Sequence, residues 1–152
     1  MKNNILIAAA CLVILNNKVL LVKLTYGKGG FNFPGGILEE GELLNRTAER
    51  EVLEETNLQV SAGDILAIRY IQGDIWVVFR GEYISGELRP DSNEIEEAVF
   101  MDIDEALSRE DVIPLAKEIL RATMSKEKNV LERSTFVNPK FIDDKEKWQL
   151  YI

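Results

Sequence analysis

One stretch of this chain has a residue spacing that stability alone does not explain. Gly36 is followed after five residues by Glu42, and seven further residues lead to the run 50–58, which reads REVLEETNL. No glycine or proline lies between Glu42 and Thr56. The sequence therefore predicts a helix here, with its acidic residues at defined positions around the axis.

Three glutamates of that helix, Glu51, Glu54 and Glu55, fall on one face at about 100° per residue. Glu51 and Glu55 form an i,i+4 like-charge pair, which costs roughly 0.2–0.5 kcal/mol in an isolated helix. Carboxylates in the last turn also oppose the helix dipole. A cation removes both penalties, and an all-oxygen ligand set is typical of Mg²⁺ or Mn²⁺. The pattern favours a metal site, with a solvated acidic surface as the alternative.

The whole spacing resembles the signature of the Nudix hydrolase family (MutT-like proteins). That signature reads Gly, five residues, Glu, seven residues, Arg-Glu, an aliphatic residue, any residue, Glu-Glu, any residue, Gly and an aliphatic residue. Every defined position but one is filled here, the exception being Asn57 in place of glycine. Asn is the best non-glycine residue for the left-handed conformation, so we expect Asn57 to end the helix. Leu43 replaces a frequent Ser or Thr cap.

The resemblance covers about residues 5–120 and implies an α/β (α+β) fold, an α/β/α sandwich with a mixed β-sheet flanked by helices. It implies an enzyme that uses Mg²⁺, or Mn²⁺, to hydrolyse the pyrophosphate bond of a nucleoside diphosphate linked to another group. A nucleoside triphosphate or a nucleotide sugar is the default substrate. The alternative is a catalytically inactive nucleotide-binding regulator with the same fold.

The resemblance also implies the metal ligands. They are the Gly36 carbonyl and the carboxylates of Glu51, Glu54 and Glu55. Arg50 is expected to orient these glutamates and to take part in catalysis in that way.

The general base is expected to be Glu54 or Glu55, with Glu94 and Glu97 as alternatives from a later segment. The chain has no histidine. Catalysis by Ser-His-Asp or Cys-His groups is therefore excluded, so a proton must move through other groups such as carboxylates.

Three residues are candidates for substrate contacts. Lys23 is expected near phosphate, with a solvated edge lysine as the alternative. Phe31 and Trp76 could stack on a base, whereas core packing is the commoner role of such rings.

The formal net charge of −8 argues against binding to a nucleic-acid polymer, because such binding needs a basic surface. A small phosphorylated ligand that carries its own Mg²⁺ remains compatible. The single cysteine, Cys11, lies in an apolar run and is expected in the core.

The N-terminal run 5–15 is too short to span a bilayer and has too few bulky residues for a signal peptide. We expect a buried strand that turns at Asn16-Asn17 into a second strand, 18–25. The predicted location is cytoplasmic, without membrane association.

The second half of the chain shows further elements. We predict strands at 65–71, 75–83 and 94–101 and a helix at 114–124. Gln72-Gly73-Asp74 is predicted to join the first two strands. Asp102 is expected to cap a short helix, with Glu105 completing a capping box.

At 152 residues and 46% hydrophobic, residues 1–152 can form a single domain around one core. The C-terminal segment 125–152 ends in an apolar cluster. We expect this segment to dock on the core or on a second copy of the chain in a homodimer.

Overall fold

The computed structural model describes residues 4–26, 29–90, 92–125, 131–143 and 148–152. Within them, the strands are β1 Ile7–Leu15, β2 Lys18–Leu24, β3 Phe31–Asn32, β4 Gly35–Ile37, β5 Gln59–Ile71, β6 Asp74–Ser85, β7 Ile95–Asp102 and β8 Trp148–Tyr151. The helices are α1 Leu44–Thr56, α2 Ile103–Ser108 and α3 Pro114–Ser125, and a 3₁₀ turn covers Pro139–Phe141.

Strand β1 lies at the centre of a mixed sheet because its sequence, IAAACLVIL, is apolar on both faces. It pairs in parallel with β6, and antiparallel with β4 at its start and with β2 at its end. The described strands follow the order β3-β2-β1-β6-β5-β8, with β4 on β1 and β7 on β2. Cys11 is fully buried in this strand, as expected, and burial raises its pKa to about 12.

Helices cover both faces of the sheet. On one face, Ala48 and Val52 of α1 share a buried cluster with Cys11 of β1. On the other face, Ala116 and Ile119 of α3 belong to a second cluster. The expected α/β/α sandwich is therefore confirmed. Because β4 pairs with β1, the segment Gly35–Ile37 lies beside α1.

Asparagines end two elements in the left-handed conformation. Asn16 and Asn17 have φ values of 51° and 61° and turn β1 into β2, as predicted. Asn57 has φ 62°, and its backbone N–H donates to the Leu53 carbonyl oxygen at 2.9 Å. The prediction that Asn57 ends the helix is confirmed. Leu43 precedes α1 without a side-chain cap.

Two details of the predicted hairpin between β5 and β6 were wrong. Strand β5 begins at Gln59 rather than at residue 65, because pairing with β6 resumes beyond a register irregularity between Ala62 and Ile65, which breaks the alternating pattern. The turn contains only Gln72 and Gly73, with φ values of 47° and 97°, and Asp74 already pairs with Ile71. This shorter turn moves the register by one residue relative to the predicted turn.

The predicted capping box at α2 was also wrong. Asp102 precedes the helix with φ −53° and ψ 138°, but its side chain makes no capping hydrogen bond. The Glu105 carboxylate instead accepts a hydrogen bond from Arg109 Nη1 at 3.1 Å. The pair Arg109–Glu105 is an i,i+4 ion pair, which competes for the carboxylate that the capping box requires.

The C-terminal strand β8 pairs antiparallel with β5 and continues the sheet. Trp148 and Leu150 are buried there, and Phe136 packs edge-on against Trp148. Parts of the predicted docking segment, 126–130 and 144–147, lie outside the described residues. Within the described part of the chain, no helix has the length and apolar character needed to cross a membrane.

Candidate active site

Arg50 organises the acidic face of α1. It donates five hydrogen bonds to described residues: two to Glu42 at 2.8 and 3.1 Å, and one each to Glu51 at 2.7 Å, Glu54 at 3.2 Å and the Ile37 carbonyl oxygen at 3.1 Å. The neighbouring carboxylates raise its pKa, the hydrogen bond to Glu42 most of all. Arg50 thus ties the loop before α1 to the glutamates on the helix.

Glu42 fixes the loop that leads into α1. Besides Arg50, its Oε2 accepts hydrogen bonds from Thr47 Oγ1 at 2.7 Å and from the Glu39 backbone N–H at 3.3 Å. Hydrogen bonding, chiefly from Arg50 and then from Thr47, lowers the Glu42 pKa to about 2. Glu42 therefore stays ionised and supports the loop.

Glu51 lies against the backbone of β4. A side chain at position 36 would overlap the Glu51 carboxylate, so this close approach requires glycine. Burial raises the Glu51 pKa, against the opposing effect of Arg50. Gly36 and Glu51, fifteen positions apart in the sequence, are thus brought into contact.

Glu55 is the most buried carboxylate of the group, with 8% of its surface exposed. Its Oε2 accepts a hydrogen bond from the Gly35 backbone N–H at 3.1 Å. Burial raises its pKa to about 8, and the charge of Glu51 is the second cause, followed with smaller weight by Glu94 and Glu54. Glu55 therefore holds a proton near neutral pH in the metal-free protein.

The chemistry of these groups fits a divalent cation. The charge of Glu54 contributes to the raised pKa of Glu51, and the charges of Glu51 and Glu54 contribute to that of Glu55; a cation relieves such repulsion. As the side chains are placed, however, no group of three or more acidic or cysteine residues in the described ranges is arranged to hold an ion. Glu51 and Glu54 bond to Arg50 instead, so ion binding requires at least one of them to reorient.

The acidic face opens into a cavity of about 480 Å³. Gly35, Gly36 and Glu55 line one end, and the cavity continues past Phe33 to Trp76. Segments 113–115 and 138–140 also line it. A cavity of this size is within the usual range for small-molecule sites, roughly 300–1,000 Å³.

The three predicted substrate residues have different positions. Trp76 lines the cavity and stacks nearly parallel to Phe33, with ring centroids 6.5 Å apart. Phe31 is buried away from the cavity lining, and the Arg109 guanidinium lies 5.3 Å from its ring centroid. Lys23 is not a lining residue either, and its ammonium pairs with Glu96 at 3.3 Å.

The two alternative bases lie on or next to β7, and both are exposed. Glu94 is close enough for its charge to raise the Glu55 pKa, whereas Glu97 is not among the causes of that shift. Glu97 lies opposite Lys23 in the pairing of β7 with β2.

Several cavity residues were missed in the sequence, among them Arg69, Phe33 and Asn138. Arg69 could have been found, because strand alternation places it on the same face as the apolar Ala67 and Ile71. Asn138 had no such signal, since it precedes a 3₁₀ turn in an irregular segment.

The fold and the organised acidic helix define an α/β/α protein with a candidate site for phosphorylated ligands. Residues 5–123 match the family described as NUDIX domain. The chain belongs to the NUDIX family, as the spacing of its glutamates and Arg50 predicted.

Two relatives illustrate the range of the family. The NAD-capped RNA hydrolase NudC of Vibrio atlanticus is 31% identical over 128 residues, which are 75% of this chain and 45% of that protein. The ADP-ribose pyrophosphatase of Methanocaldococcus jannaschii is 35% identical over 98 residues, 59% of this chain and 57% of that protein. The chain therefore spans about half the length of these relatives.

Solved structures support the same fold. A NUDIX hydrolase from Nitrosomonas europaea has TM-score 0.69 and 25% identity, covering 78% of this chain and 88% of that one. The MutT protein from Methanosarcina mazei Go1 has TM-score 0.69 and 23% identity, covering 84% and 99%. At 23% identity, the likeness to the Methanosarcina mazei protein supports the fold alone.

Proposed function

We propose that this protein is a Mg²⁺-dependent hydrolase of the pyrophosphate bond in a nucleoside diphosphate linked to another group. The observation that carries the proposal is the junction at Glu55, where the acidic face organised by Arg50 meets a cavity of nucleotide size. The names of the NudC and ADP-ribose pyrophosphatase relatives support the same reaction class.

The metal would be held by Glu51, Glu54, Glu55 and the Gly36 carbonyl, with Mn²⁺ as a substitute for Mg²⁺. When bound, such a cation neutralises charge that develops on the pyrophosphate oxygens. Arg50 is a positioning residue in this scheme, because its hydrogen bonds fix Glu51 and Glu54 relative to the loop.

In the reaction, a water oxygen forms a bond to one phosphorus while the bridging phosphorus–oxygen bond breaks. The water loses a proton to a carboxylate, and the electron pair of the broken bond stays on the leaving phosphate. Glu55 is our first choice for that carboxylate, because it lines the cavity and lies next to Gly35. Glu54 is the second choice, followed by Glu94 and then Glu97.

We propose a small nucleotide derivative rather than a nucleic-acid polymer as substrate, because the chain carries a formal charge of −8. Residues 1–152 would act as one catalytic domain, to which the segment 125–152 contributes through β8. A homodimer and a cytoplasmic location stay predictions.

The test is a hydrolysis screen with Mg²⁺ or with chelator. The panel contains nucleoside triphosphates, ADP-ribose, nucleotide sugars, dinucleoside polyphosphates, NAD⁺, coenzyme A and an NAD-capped RNA oligonucleotide. We expect chelator-sensitive cleavage of at least one small substrate. Faster turnover of the capped RNA than of every small molecule would contradict the proposed substrate class.

The Glu55→Gln variant tests the residue assignment. We expect a loss of kcat of roughly 100- to 10,000-fold with the fold retained. Glu49→Gln is the matched control, because Glu49 lies on the same helix but accepts a hydrogen bond from the Ala62 backbone N–H. Full activity of Glu55→Gln would remove this residue from the mechanism. Tight nucleotide binding without cleavage of any panel member would instead indicate an inactive regulator.

A further inference from the structure

Arg69 is a cation in the cavity that the described residues leave without a hydrogen-bond acceptor. Its Nε is buried and has no partner, although a buried donor without a partner is unfavourable. The guanidinium carbon lies 5.4 Å from the centroid of the Trp76 ring. Burial lowers the Arg69 pKa and outweighs the nearby charge of Asp74. Contact with an aromatic ring does not use the N–H groups, so the terminal guanidinium nitrogens, which are not among the buried unpaired atoms, remain available to a ligand.

The sheet register sets the distance from this arginine to the acidic end of the cavity. Ile37, Ala8, Trp76 and Arg69 are consecutive partners across β4, β1, β6 and β5. Three spacings between neighbouring strands amount to about 14 Å. This is comparable with the length of an extended nucleoside diphosphate, whereas neighbouring phosphorus atoms are much closer together. The Arg69 backbone is thus farther from a pyrophosphate at the acidic end than a neighbouring phosphate reaches, so we expect the base to be the part of the substrate near Arg69.

Two asparagines that line the same cavity have their side-chain oxygens engaged. Asn32 Oδ1 accepts a hydrogen bond from the Phe33 backbone N–H at 2.8 Å, and Asn138 Oδ1 accepts one from the Lys140 backbone N–H at 3.1 Å. Both side-chain amides therefore turn their NH₂ groups to other partners. Together with Arg69 and Lys140, they add hydrogen-bond donors to a cavity lining that is mainly apolar.

We propose that Arg69 is a specificity-determining residue that donates hydrogen bonds to a ring carbonyl oxygen of the substrate's base. The proposal rests on the proposed function and names the preferred substrate class, derivatives of keto-bearing bases. Hypoxanthine and guanine present O6 beside N7, two acceptors that match an arginine fork. Adenine presents its N6 amino group at the same place, and this donor meets the donors of the cavity.

The experiment uses pairs of substrates whose two members differ only at the purine 6-position. They are ITP and ATP, inosine and adenosine diphosphate ribose, and nicotinamide hypoxanthine dinucleotide and NAD⁺. We expect wild-type kcat/KM to favour the keto member. Arg69→Met should reduce this preference by roughly 10- to 100-fold, mainly through a higher KM, because a bidentate base contact has an effect of that order. GTP and UTP then show whether a purine or a pyrimidine carbonyl is preferred.

Arg121→Met is the control, since Arg121 lies on α3 outside the cavity lining and pairs with Glu118. This variant should leave kcat/KM unchanged for both the keto and the amino member of each pair. An equal loss on keto and amino substrates in Arg69→Met would indicate a phosphate contact or a structural role and overturn the proposal. A wild-type preference for the amino member would overturn it as well.

The two proposals fail in different ways. If wild-type protein cleaves no substrate of the panel, the proposed function fails. Calorimetric titration of wild type and Arg69→Met with ITP and with ATP, each with Mg²⁺, still tests Arg69. Unchanged discrimination in an active Arg69→Met variant refutes only the role of Arg69.

Discussion

Two arginines at opposite ends of the candidate site have opposite environments. Arg50 donates five hydrogen bonds to described residues, and its carboxylate neighbours raise its pKa. Arg69 donates none within the described ranges, its Nε is buried, and its pKa is lowered. Arg50 stabilises the metal-free arrangement of the acidic face, whereas Arg69 keeps its hydrogen-bonding capacity for a ligand.

This difference shows how a residue that binds a ligand can be told from one that supports the structure: the second has its hydrogen bonds satisfied without a ligand. A satisfied charge network at Arg50 contributes to order without a ligand. A partly buried cation with an unpaired Nε is retained at a cost in stability, which is typical of residues that serve a ligand. The comparison therefore predicts that Arg50→Met destabilises the protein, whereas Arg69→Met stabilises it.

Of the two arginines, Arg50 should give the larger effect when it is replaced, as in Arg50→Met. Losing the guanidinium leaves Glu42, Glu51 and Glu54 without their shared partner, and a misplacement near 1 Å at a catalytic site costs about 100-fold in rate. We expect a kcat loss of this order and a lower unfolding temperature, measured by steady-state kinetics and thermal denaturation. Arg50→Lys should retain little of this activity and stability, because lysine lacks the planar guanidinium that donates several hydrogen bonds at once.

Arg46→Met is the matched control for Arg50→Met. Arg46 lies on the same helix, pairs with Glu49 at 2.6 Å and has 67% of its side-chain surface exposed. Its loss should leave kcat within about twofold, since exposed ion pairs contribute little. Equal effects of the two variants would refute a special role for Arg50.

The second prediction concerns pH in the metal-free protein. The Glu55 pKa is about 8 in the folded state and 4.5 at its ordinary value. Between these pH values the unfolded chain binds fewer protons, so stability falls as pH rises. The raised Glu51 pKa acts in the same direction, whereas the Glu42 pKa of about 2 affects stability only in more acidic solution.

Urea denaturation with chelator at pH 5, 6, 7 and 8 measures this effect, which we expect to be on the order of 2 kcal/mol. Glu55→Gln should flatten the profile, and Mg²⁺ should remove most of the loss by neutralising the carboxylates. A metal-free profile that rises over this range would contradict the assignment of Glu55 as a buried, proton-holding carboxyl.

The third prediction is that Arg69→Met stabilises the protein. A methionine removes the unpaired guanidinium from the cavity wall, and replacing buried charge by an apolar group is often stabilising. A thioether contact with Trp76 offsets part of the lost ring interaction. We expect a gain of about 1 kcal/mol in the free energy of unfolding, and no change for Arg121→Met. Destabilisation would show that Arg69 supports the fold.

The same contrast explains what could be predicted from the sequence. The face shared by Glu51, Glu54 and Glu55 follows from helix periodicity, and Asn57 follows from backbone preference, so both are local properties. The contact of Arg69 with Trp76 depends on strand register. A turn of three residues, as predicted, would place Tyr70 opposite Trp76, whereas the observed two-residue turn pairs Trp76 with Arg69.

Contacts made by segments that are distant in the sequence could not be predicted, for a different reason. Asn138 reaches the cavity only because the chain returns along the sheet to β8, and no local pattern sets that path. Lys23 is a second case, since its place at the end of a strand predicted a phosphate contact, which stays a prediction, and the sequence did not indicate that β7 supplies Glu96 as its partner. Contacts between distant segments decide both cases.

The smallest expected effect is at Asn57, which ends the acidic helix without entering the cavity. Alanine there must keep φ near 62°, and it loses the hydrogen bond from Asn57 Nδ2 to the Glu87 carbonyl oxygen at 2.9 Å. We expect Asn57→Ala to lower the free energy of unfolding by about 1 kcal/mol. Asn57→Gly should be closer to neutral, because glycine adopts this conformation freely. Both should leave kcat/KM nearly unchanged, and a large kinetic effect of Asn57→Ala with a small one of Asn57→Gly would show that the end of α1 also positions Glu55.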